Sequence, residues 1–134
     1  MMINKEDANI LIVDDIEDNR YTLERRLKKD GYTNIFTAEG GKTALEMAAD
    51  NKFDLILLDL MMPDMSGLEV LKYLKGDPMQ RSIPVIMVTA SDEVETAAEC
   101  IINGADDFIT KPFNGTLLKA RVGASLEKKR LRDT

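Results

Sequence analysis

The sequence predicts an α/β fold in which helices cover both faces of one parallel sheet. Three observations lead to this prediction. Short apolar runs recur at 10–13, 55–58, 85–88 and 108–109, and runs of this length are typical of strands buried on both faces. Segments with helical spacing of apolar residues separate them. Strand and helix alternate five times within 134 residues, which favours a doubly wound sheet.

The first half of the chain is expected to form three strands and two helices. The strands are expected at about 9–13, 34–38 and 55–59. Helix one carries Leu23 and Leu27 one turn apart on one face, and Gly31 is a suitable stop signal. Helix two has three apolar residues at helical spacing, Ala44, Leu45 and Ala48.

The second half contains the clearest helix start. Ser66 and Glu69 have the spacing of a capping box, and the apolar stripe that follows is Leu68, Leu71 and Leu74. Strand four is expected at about 85–89, helix four at 93–103, strand five at 107–110 and helix five at 114–132. In helix five, Leu118, Val122 and Leu126 recur at steps of four and should face the sheet.

Composition narrows the classes of function. The chain is long enough for one domain with a substantial core, and no apolar run approaches the length of a membrane span. The N-terminus lacks the apolar region of a signal peptide, and a single cysteine, Cys100, fits a reducing compartment. We therefore expect a cytoplasmic protein.

Residues 1–118 carry a net charge of −10, which argues against nucleic-acid binding by this domain.

The sequence contains no histidine and no Gly-x-x-x-x-Gly-Lys phosphate loop. The absence of histidine excludes Ser-His-Asp and Cys-His nucleophilic systems and histidine-ligated zinc. It also excludes a phosphohistidine on the chain itself.

Polar residues follow four of the apolar runs. They are Asp14 and Asp15, Asp59, Thr89, and Lys111 followed by Pro112. In an open α/β sheet the loops at the carboxyl ends of the strands converge on one crevice. We therefore expect three acids, a hydroxyl and an ammonium to meet there, although they are far apart in the sequence.

This set of groups suits a divalent cation and a phosphoryl group. Close carboxylates repel one another unless a cation is present, and a few acidic oxygens with room for water and phosphate suit Mg²⁺. Asp59 is the best candidate for a nucleophile that forms an acyl phosphate. Lys111 supplies a cation for phosphate oxygens, and a cis peptide bond to Pro112 would aim it inward.

Each of these residues also has an ordinary interpretation. An aspartate after a strand often caps a helix or is solvated, and Asp59 can be the partner of a structural ion pair. Thr89 taken alone is a common β-branched strand residue. Lys111 taken alone is a surface lysine.

The residues named above belong to four longer motifs: ILIVDD at 10–15, DLMMPDMSG at 59–67, VTA at 88–90 and GADDFITKPF at 104–113. These motifs resemble those of the receiver domain of two-component response regulators. The likeness covers about residues 8–126. Together with right-handed crossovers, the resemblance implies a flavodoxin-like five-stranded sheet in the order 2-1-3-4-5, which places strands one and three side by side.

The resemblance also implies roles for individual residues. Asp59 would accept a phosphoryl group from the phosphohistidine of a sensor histidine kinase or a phosphotransfer protein. Mg²⁺ would be bound by Asp15 and Asp59, by the backbone carbonyl of Met61, and by Asp14 mostly through water. Thr89 and Lys111 would hold the phosphoryl oxygens. Phe108 looks like the switch aromatic of this family, although a plain core role is equally open.

Phosphorylation would then alter the surface formed by helix four, strand five and helix five. Ala97, Ile101 and Phe108 are candidates to face a partner there, or ordinary core residues. Residues 1–126 are expected to form the receiver domain, and 127–134 a C-terminal extension of the last helix. The extension resembles the helix that leads to an output module, such as a nucleotide cyclase. The resemblance also allows a downstream partner protein and a homodimer linked to phosphorylation.

Three other classes of protein share part of this pattern. A pseudo-receiver that binds proteins without phosphorylation would keep the fold but lose the acceptor, acids or lysine, all of which are present. A haloacid-dehalogenase-like phosphatase needs a second aspartate two residues after Asp59, where Met61 stands. A flavodoxin needs a Ser/Thr-rich phosphate loop after strand one, where this chain has DDIED. The receiver is not expected to be an enzyme beyond catalysing its own phosphorylation and dephosphorylation.

Overall fold

The computed structural model describes residues 4–133. Its strands are β1 (Asn9–Val13), β2 (Asn34–Ala38), β3 (Leu55–Asp59), β4 (Val85–Ala90) and β5 (Asp107–Lys111). Its helices are α1 (Glu17–Lys29), α2 (Gly41–Asp50), α3 (Gly67–Gly76), α4 (Val94–Ile102) and α5 (Gly115–Arg132). Within the described residues, no helix has both the length and the apolar character that crossing a membrane requires.

The strands form one parallel sheet in the order β2-β1-β3-β4-β5, which confirms the predicted order. β1 and β3 are neighbours, with Val13 opposite Leu58. The residues that follow β1 and those that end β3 therefore lie side by side at the carboxyl edge of the sheet.

Alternate residues of each strand point to opposite faces, and each face has its own apolar core. One core packs α2, α3 and α4 against strand residues such as Leu11, Leu58 and Met87. The other packs α1 and α5 against Ile12, Leu57 and others. Because both faces are covered, the three central strands are apolar along most of their length, which explains why they appear as continuous apolar runs.

The ends of the helices follow the sequence signals closely. Gly31 after α1 and Gly104 after α4 have φ angles of +104° and +110°, which side chains other than glycine rarely adopt. At the start of α3, Ser66 Oγ accepts a hydrogen bond from the backbone N–H of Glu69 at 3.2 Å. The three predicted sheet-facing residues of α5, Leu118, Val122 and Leu126, are buried.

A few details differ from the sequence prediction. β4 extends to Ala90 and β5 to Lys111, one residue beyond each predicted end, so Lys111 lies within its strand rather than after it. A 3₁₀ turn occupies 91–93, and α4 begins only after it. The predicted apolar stripe of α3 included Leu68 but not Val70. In the structure Val70 is fully buried and Leu68 only half-buried, so the buried face of the helix is centred closer to Val70.

The partner-facing role suggested for Ala97 is wrong. Its side chain is completely buried in α4 because this side of the helix packs on the sheet. Ile101, in contrast, is exposed, and Phe108 is partly buried against the core shared by α2, α3 and α4.

Candidate functional site

The candidate site lies at the carboxyl edge of the sheet, where β1, β3 and β5 end. Asp14 is the first residue after β1, Asp59 is the last residue of β3, and Lys111 is the last residue of β5. The strand order places β1 next to β3. Backbone geometry alone therefore brings the acids together, and the long side chain of Lys111 reaches across from β5.

Lys111 connects two of the acids. Its Nζ lies 2.9 Å from Oδ1 of Asp59, to which it donates a hydrogen bond, and 3.2 Å from Oδ2 of Asp14. The peptide bond between Lys111 and Pro112 is cis, as the sequence analysis allowed. The ammonium is therefore positioned to balance the charge of two buried carboxylates.

Three carboxylates form a candidate metal centre. Asp14, Asp15 and Asp59 each place one oxygen within 4.8 Å of the others. Asp14 and Asp59 are buried, and Asp15 is half-buried beside them. No second group of three or more such ligands lies this close together in the part of the chain that the structure describes. The predicted convergence of the acids with Lys111 is thus confirmed.

The two buried acids have different hydrogen-bond environments. Oδ1 of Asp14 accepts from the backbone N–H of Ile16 at 2.9 Å and from Asn19 Nδ2 at 3.4 Å. Oδ2 of Asp14 is buried and makes no hydrogen bond of ordinary geometry within residues 4–133, and its charged neighbour is the Lys111 ammonium at 3.2 Å. A buried carboxylate oxygen with so few partners fits a site that a cation completes.

The surroundings of Asp59 make it a weaker acid than usual. Burial raises the pKa of Asp59 to about 6, and the negative charges of Asp14 and Asp15 act in the same direction, while the hydrogen bond and charge of Lys111 oppose them. For Lys111, burial lowers the pKa, but the bond and charge of Asp59 and the charge of Asp14 outweigh it, so the pKa lies above its usual value. A cation at this site would favour the charged form of Asp59.

The other predicted site residues lie in β4, in the loop after β3 and in β5. Thr89 is buried in β4, the strand next to β3, and its hydroxyl donates to the carbonyl of Ala90 at 2.7 Å. Met61 follows Asp59 in the loop between β3 and α3, with an exposed side chain. Phe108 lies in β5 opposite Met87 of β4. The hydroxyl of Thr89 is therefore engaged with the backbone.

Sequence reasoning missed three residues that support the site. Arg20 donates from Nη1 to the backbone carbonyl of Asp14 at 2.7 Å, and Asn19 holds the carboxylate of the same residue. Asp64, in the loop after Asp59, accepts bonds from the N-terminus of α2. The positions of Asn19 and Arg20 in the first turns of α1 were the available signal, whereas nothing local marks Asp64.

A cavity of about 240 Å³ adjoins Lys111 on the side of α1. It is lined by Asn19, Thr22, Leu23, Val88, Lys111, Pro112 and Phe113. The Lys111 side chain keeps 29% of its surface exposed. The Lys111 side chain is therefore partly accessible from outside even though its ammonium contacts two buried acids.

Comparison with known proteins gives a consistent result. The family model of the response regulator receiver domain matches residues 10–123. Response regulator PleD of Caulobacter vibrioides is 48% identical over 115 residues, which are 86% of this chain and 25% of PleD. Chemotaxis protein CheY of Pseudomonas aeruginosa is 35% identical over 122 residues, covering 89% of this chain and 96% of CheY.

Solved structures agree with these matches. Vibrio cholerae CheY4 superposes with a TM-score of 0.81 at 31% identity, covering 88% of this chain and 98% of that one. NtrX from Brucella abortus superposes with a TM-score of 0.86 at 32% identity, covering 94% of this chain but 28% of that one. This chain thus spans about a quarter of PleD and of NtrX, and nearly the whole length of the two CheY proteins.

Proposed function

The chain belongs to the response regulator receiver domain family, a family of phosphoacceptor signalling domains, and we propose that Asp59 is its phosphoacceptor. The observation that carries the proposal is the 2.9 Å contact between Lys111 Nζ and Asp59 Oδ1, with oxygens of Asp14 and Asp15 close by. A nucleophilic carboxylate, a cation-binding set of acids and a phosphate-binding ammonium then occupy one crevice.

The reaction would proceed by direct transfer. A carboxylate oxygen of Asp59 attacks the phosphorus of a partner's phosphohistidine, the phosphorus–nitrogen bond breaks, and the imidazole leaves with its electron pair and takes up a proton. Lys111 would shift from the free carboxylate to an oxygen of the transferred group, as a point charge on a flexible stem. Thr89 would exchange its bond to the Ala90 carbonyl for a bond to another phosphoryl oxygen.

Asp14, Asp15, Asp59 and the backbone carbonyl of Met61 would hold Mg²⁺. The donor set is all oxygen, as this cation prefers, and the buried Oδ2 of Asp14 fits an additional positive partner. When bound, Mg²⁺ screens the approach of two anions and balances charge in the transition state. Ionised Asp59 is the form that both the cation and the phosphoryl donor require.

Phosphorylation would act on the surface of α4, β5 and α5. A charge-assisted hydrogen bond contributes roughly 1.5–3 kcal/mol, and a minor conformer populated at about 0.1–10% lies a few kcal/mol higher in free energy. New bonds from Thr89 and Lys111 are therefore large enough to invert such populations. Phe108, half-buried in β5 against the core shared by α2, α3 and α4, is the residue whose packing would change when Thr89 moves.

The partners follow from the same chemistry. The phosphoryl donor would be a sensor histidine kinase or a phosphotransfer protein, and the receiver would catalyse its own phosphorylation and dephosphorylation only. Residues 1–126 would form the receiver, and 127–134 would lead toward an output domain or a downstream protein. A phosphorylation-linked homodimer is a further part of this proposal. The acidic body argues against direct nucleic-acid binding, and Cys100 as the single cysteine fits a cytoplasmic location.

The proposal is tested by weighing the intact protein after incubation with Mg²⁺ and a small acyl-phosphate donor. The wild type should gain the mass of one phosphoryl group, and Asp59→Asn should not. Asp54→Asn is a matched control, because Asp54 precedes β3 at the opposite end and accepts a bond from the backbone of Asn9. An adduct on Asp59→Asn at the wild-type level would remove Asp59 from the role. No adduct on any form would favour a phosphorylation-independent binding module.

A further inference from the structure

The N-terminus of α2 is capped by a residue from another part of the chain. Its own N-cap residue, Gly40, has no side chain to accept a hydrogen bond. Instead, Asp64 accepts from the backbone N–H of Gly41 at 3.2 Å and from that of Lys42 at 3.0 Å. Asp64 belongs to the loop that leaves Asp59, so this cap connects the loop of the candidate site to a different helix.

The negative charge of Asp64 and the small size of Gly40 both suit this contact. The first turn of α2 contains no acidic residue, so Asp64 supplies the anion that a helix N-terminus favours. The bond from the Lys42 N–H lowers the pKa of Asp64; burial opposes it, and the bond from the Gly41 N–H lowers the pKa further. A Cβ at Gly40 would lie only 2.8 Å from Oδ1 of Asp64. A larger residue at Gly40 would therefore displace the carboxylate.

The loop is held at several points, and Met61 lies between two of them. At its start, the N–H of Leu60 donates to the carbonyl of Val88 at 3.1 Å, and the carbonyl of Leu60 accepts from Gly67 at 2.7 Å. The side chain of Met62 packs on the core, and the next hydrogen bonds with a distant element are the two that Asp64 accepts from α2. The carbonyl of Met61 is therefore oriented by a short segment fixed at Leu60 and Asp64.

We propose that Asp64 is a positioning residue for the metal site, because its cap on α2 holds the loop that presents the Met61 carbonyl. This inference rests on the proposed function. Without the cap, the loop would sample conformers in which the carbonyl is misplaced. The apparent dissociation constant rises as the fraction of competent conformer falls. Linkage also requires the reverse effect, so that Mg²⁺ strengthens the cap on α2.

Two variants of Asp64 separate this role from a simple effect of charge. Asp64→Ala removes the charge and both bonds of the cap, whereas Asp64→Asn removes the charge but keeps one acceptor oxygen, and so one of the two bonds. Asp54→Ala is the remote control, since it also removes a carboxylate that accepts a backbone N–H. Mg²⁺ is titrated by calorimetry, and exchange of the Gly41 and Lys42 amides is followed by NMR with and without Mg²⁺.

For Asp64→Ala we expect the dissociation constant for Mg²⁺ to rise about three- to fivefold. Expressed as a free energy, this is about half or more of what a typical helix cap contributes. Asp64→Asn should stay closer to the wild type, and Asp54→Ala should match it. In the wild type, Mg²⁺ should slow exchange of the Gly41 and Lys42 amides, and in Asp64→Ala it should not.

The inference is overturned if the wild type binds Mg²⁺ while Asp64→Ala binds it equally well. It is also overturned if Asp54→Ala weakens binding as much as Asp64→Ala, because the loss of a carboxylate at either place, rather than of the cap on α2, would then be responsible. If the wild type itself does not bind Mg²⁺, the proposed function fails together with this inference, so the two failures are distinguishable.

Discussion

Lys111 Nζ donates a hydrogen bond to Asp59 Oδ1 at 2.9 Å, although 52 positions separate the two residues in the sequence. The same ammonium lies 3.2 Å from Asp14. Burial disfavours the charge of each residue, and the contact between them favours it. Four predictions follow from this cluster and from the elements around it.

The first prediction concerns pH and the metal-free protein. The pKa of Asp59 is raised from 3.8 to about 6 by burial, then by Asp14 and Asp15. In the window between these values the native state holds a proton that the unfolded chain has released, so the free energy of unfolding falls as pH rises. At neutral pH the ionised carboxylate destabilises the metal-free fold by on the order of 3 kcal/mol.

Asp59→Asn should therefore be more stable than the wild type at about pH 7 and nearly equal to it at about pH 4. The measurement is urea unfolding of both proteins in a chelator across this range. Only the difference between the two proteins is used, because other acids titrate in both. A difference that does not change with pH would contradict the assigned pKa.

The second prediction concerns the metal ligands. Mg²⁺ should raise the melting temperature of the wild type, since binding to the native state at a hundred times the dissociation constant adds about 2.7 kcal/mol. Asp15→Asn should lose most of this response, and should melt higher than the wild type without metal because one repulsion is removed. Asp54→Asn should respond like the wild type. Equal Mg²⁺ responses in wild type and Asp15→Asn would argue against the site.

The third prediction concerns the switch. With beryllofluoride as a phosphoryl mimic, amide exchange should change in α4 and β5 of the wild type. Thr89→Val should show a much smaller change there, because the hydroxyl that would leave the Ala90 carbonyl is gone. Thr37→Val, in the strand at the other edge of the sheet, is the matched control. Changes confined to the crevice in the wild type would refute the coupling.

The fourth prediction concerns the end of α5. Asp106 has a side chain only 4% exposed and accepts from Arg132 at 2.5 Å, while its other oxygen accepts from the backbone N–H of Val85 at 2.9 Å. Asp106→Ala should lower the free energy of unfolding by about 1–3 kcal/mol, because it leaves the amide at the start of β4 unpaired.

Arg132→Ala should cost less, at most about 1 kcal/mol, because Asp106 keeps its bond to Val85 and the guanidinium is partly solvated. Both variants are compared with the wild type by urea unfolding. A loss for Arg132→Ala as large as that for Asp106→Ala would mean that the ion pair, rather than the backbone bond, carries the stability.

Sequence reasoning located the strands almost to the residue, because a strand buried on both faces must be apolar along its length. The ends of α1 and α4 could also be predicted from the sequence. The positions just after them, Gly31 and Gly104, have positive φ angles, which favour glycine. The same reasoning extended the partner surface to Ala97, which is buried. Apolar spacing identifies a helix, but it does not distinguish the side that packs on the sheet from a neighbouring side that remains exposed.

The sequence by itself determined the fold class, the parallel strands and the acids and lysine at their carboxyl ends, because these depend on local patterns and on a topology with few alternatives. Only the tertiary structure decided that Asp64 caps α2, that Arg20 holds the carbonyl of Asp14 and that Arg132 reaches Asp106. Each of these contacts joins a side chain to a group on another element or segment. Such a contact depends on the distance and angle between the packed parts, which no local pattern encodes.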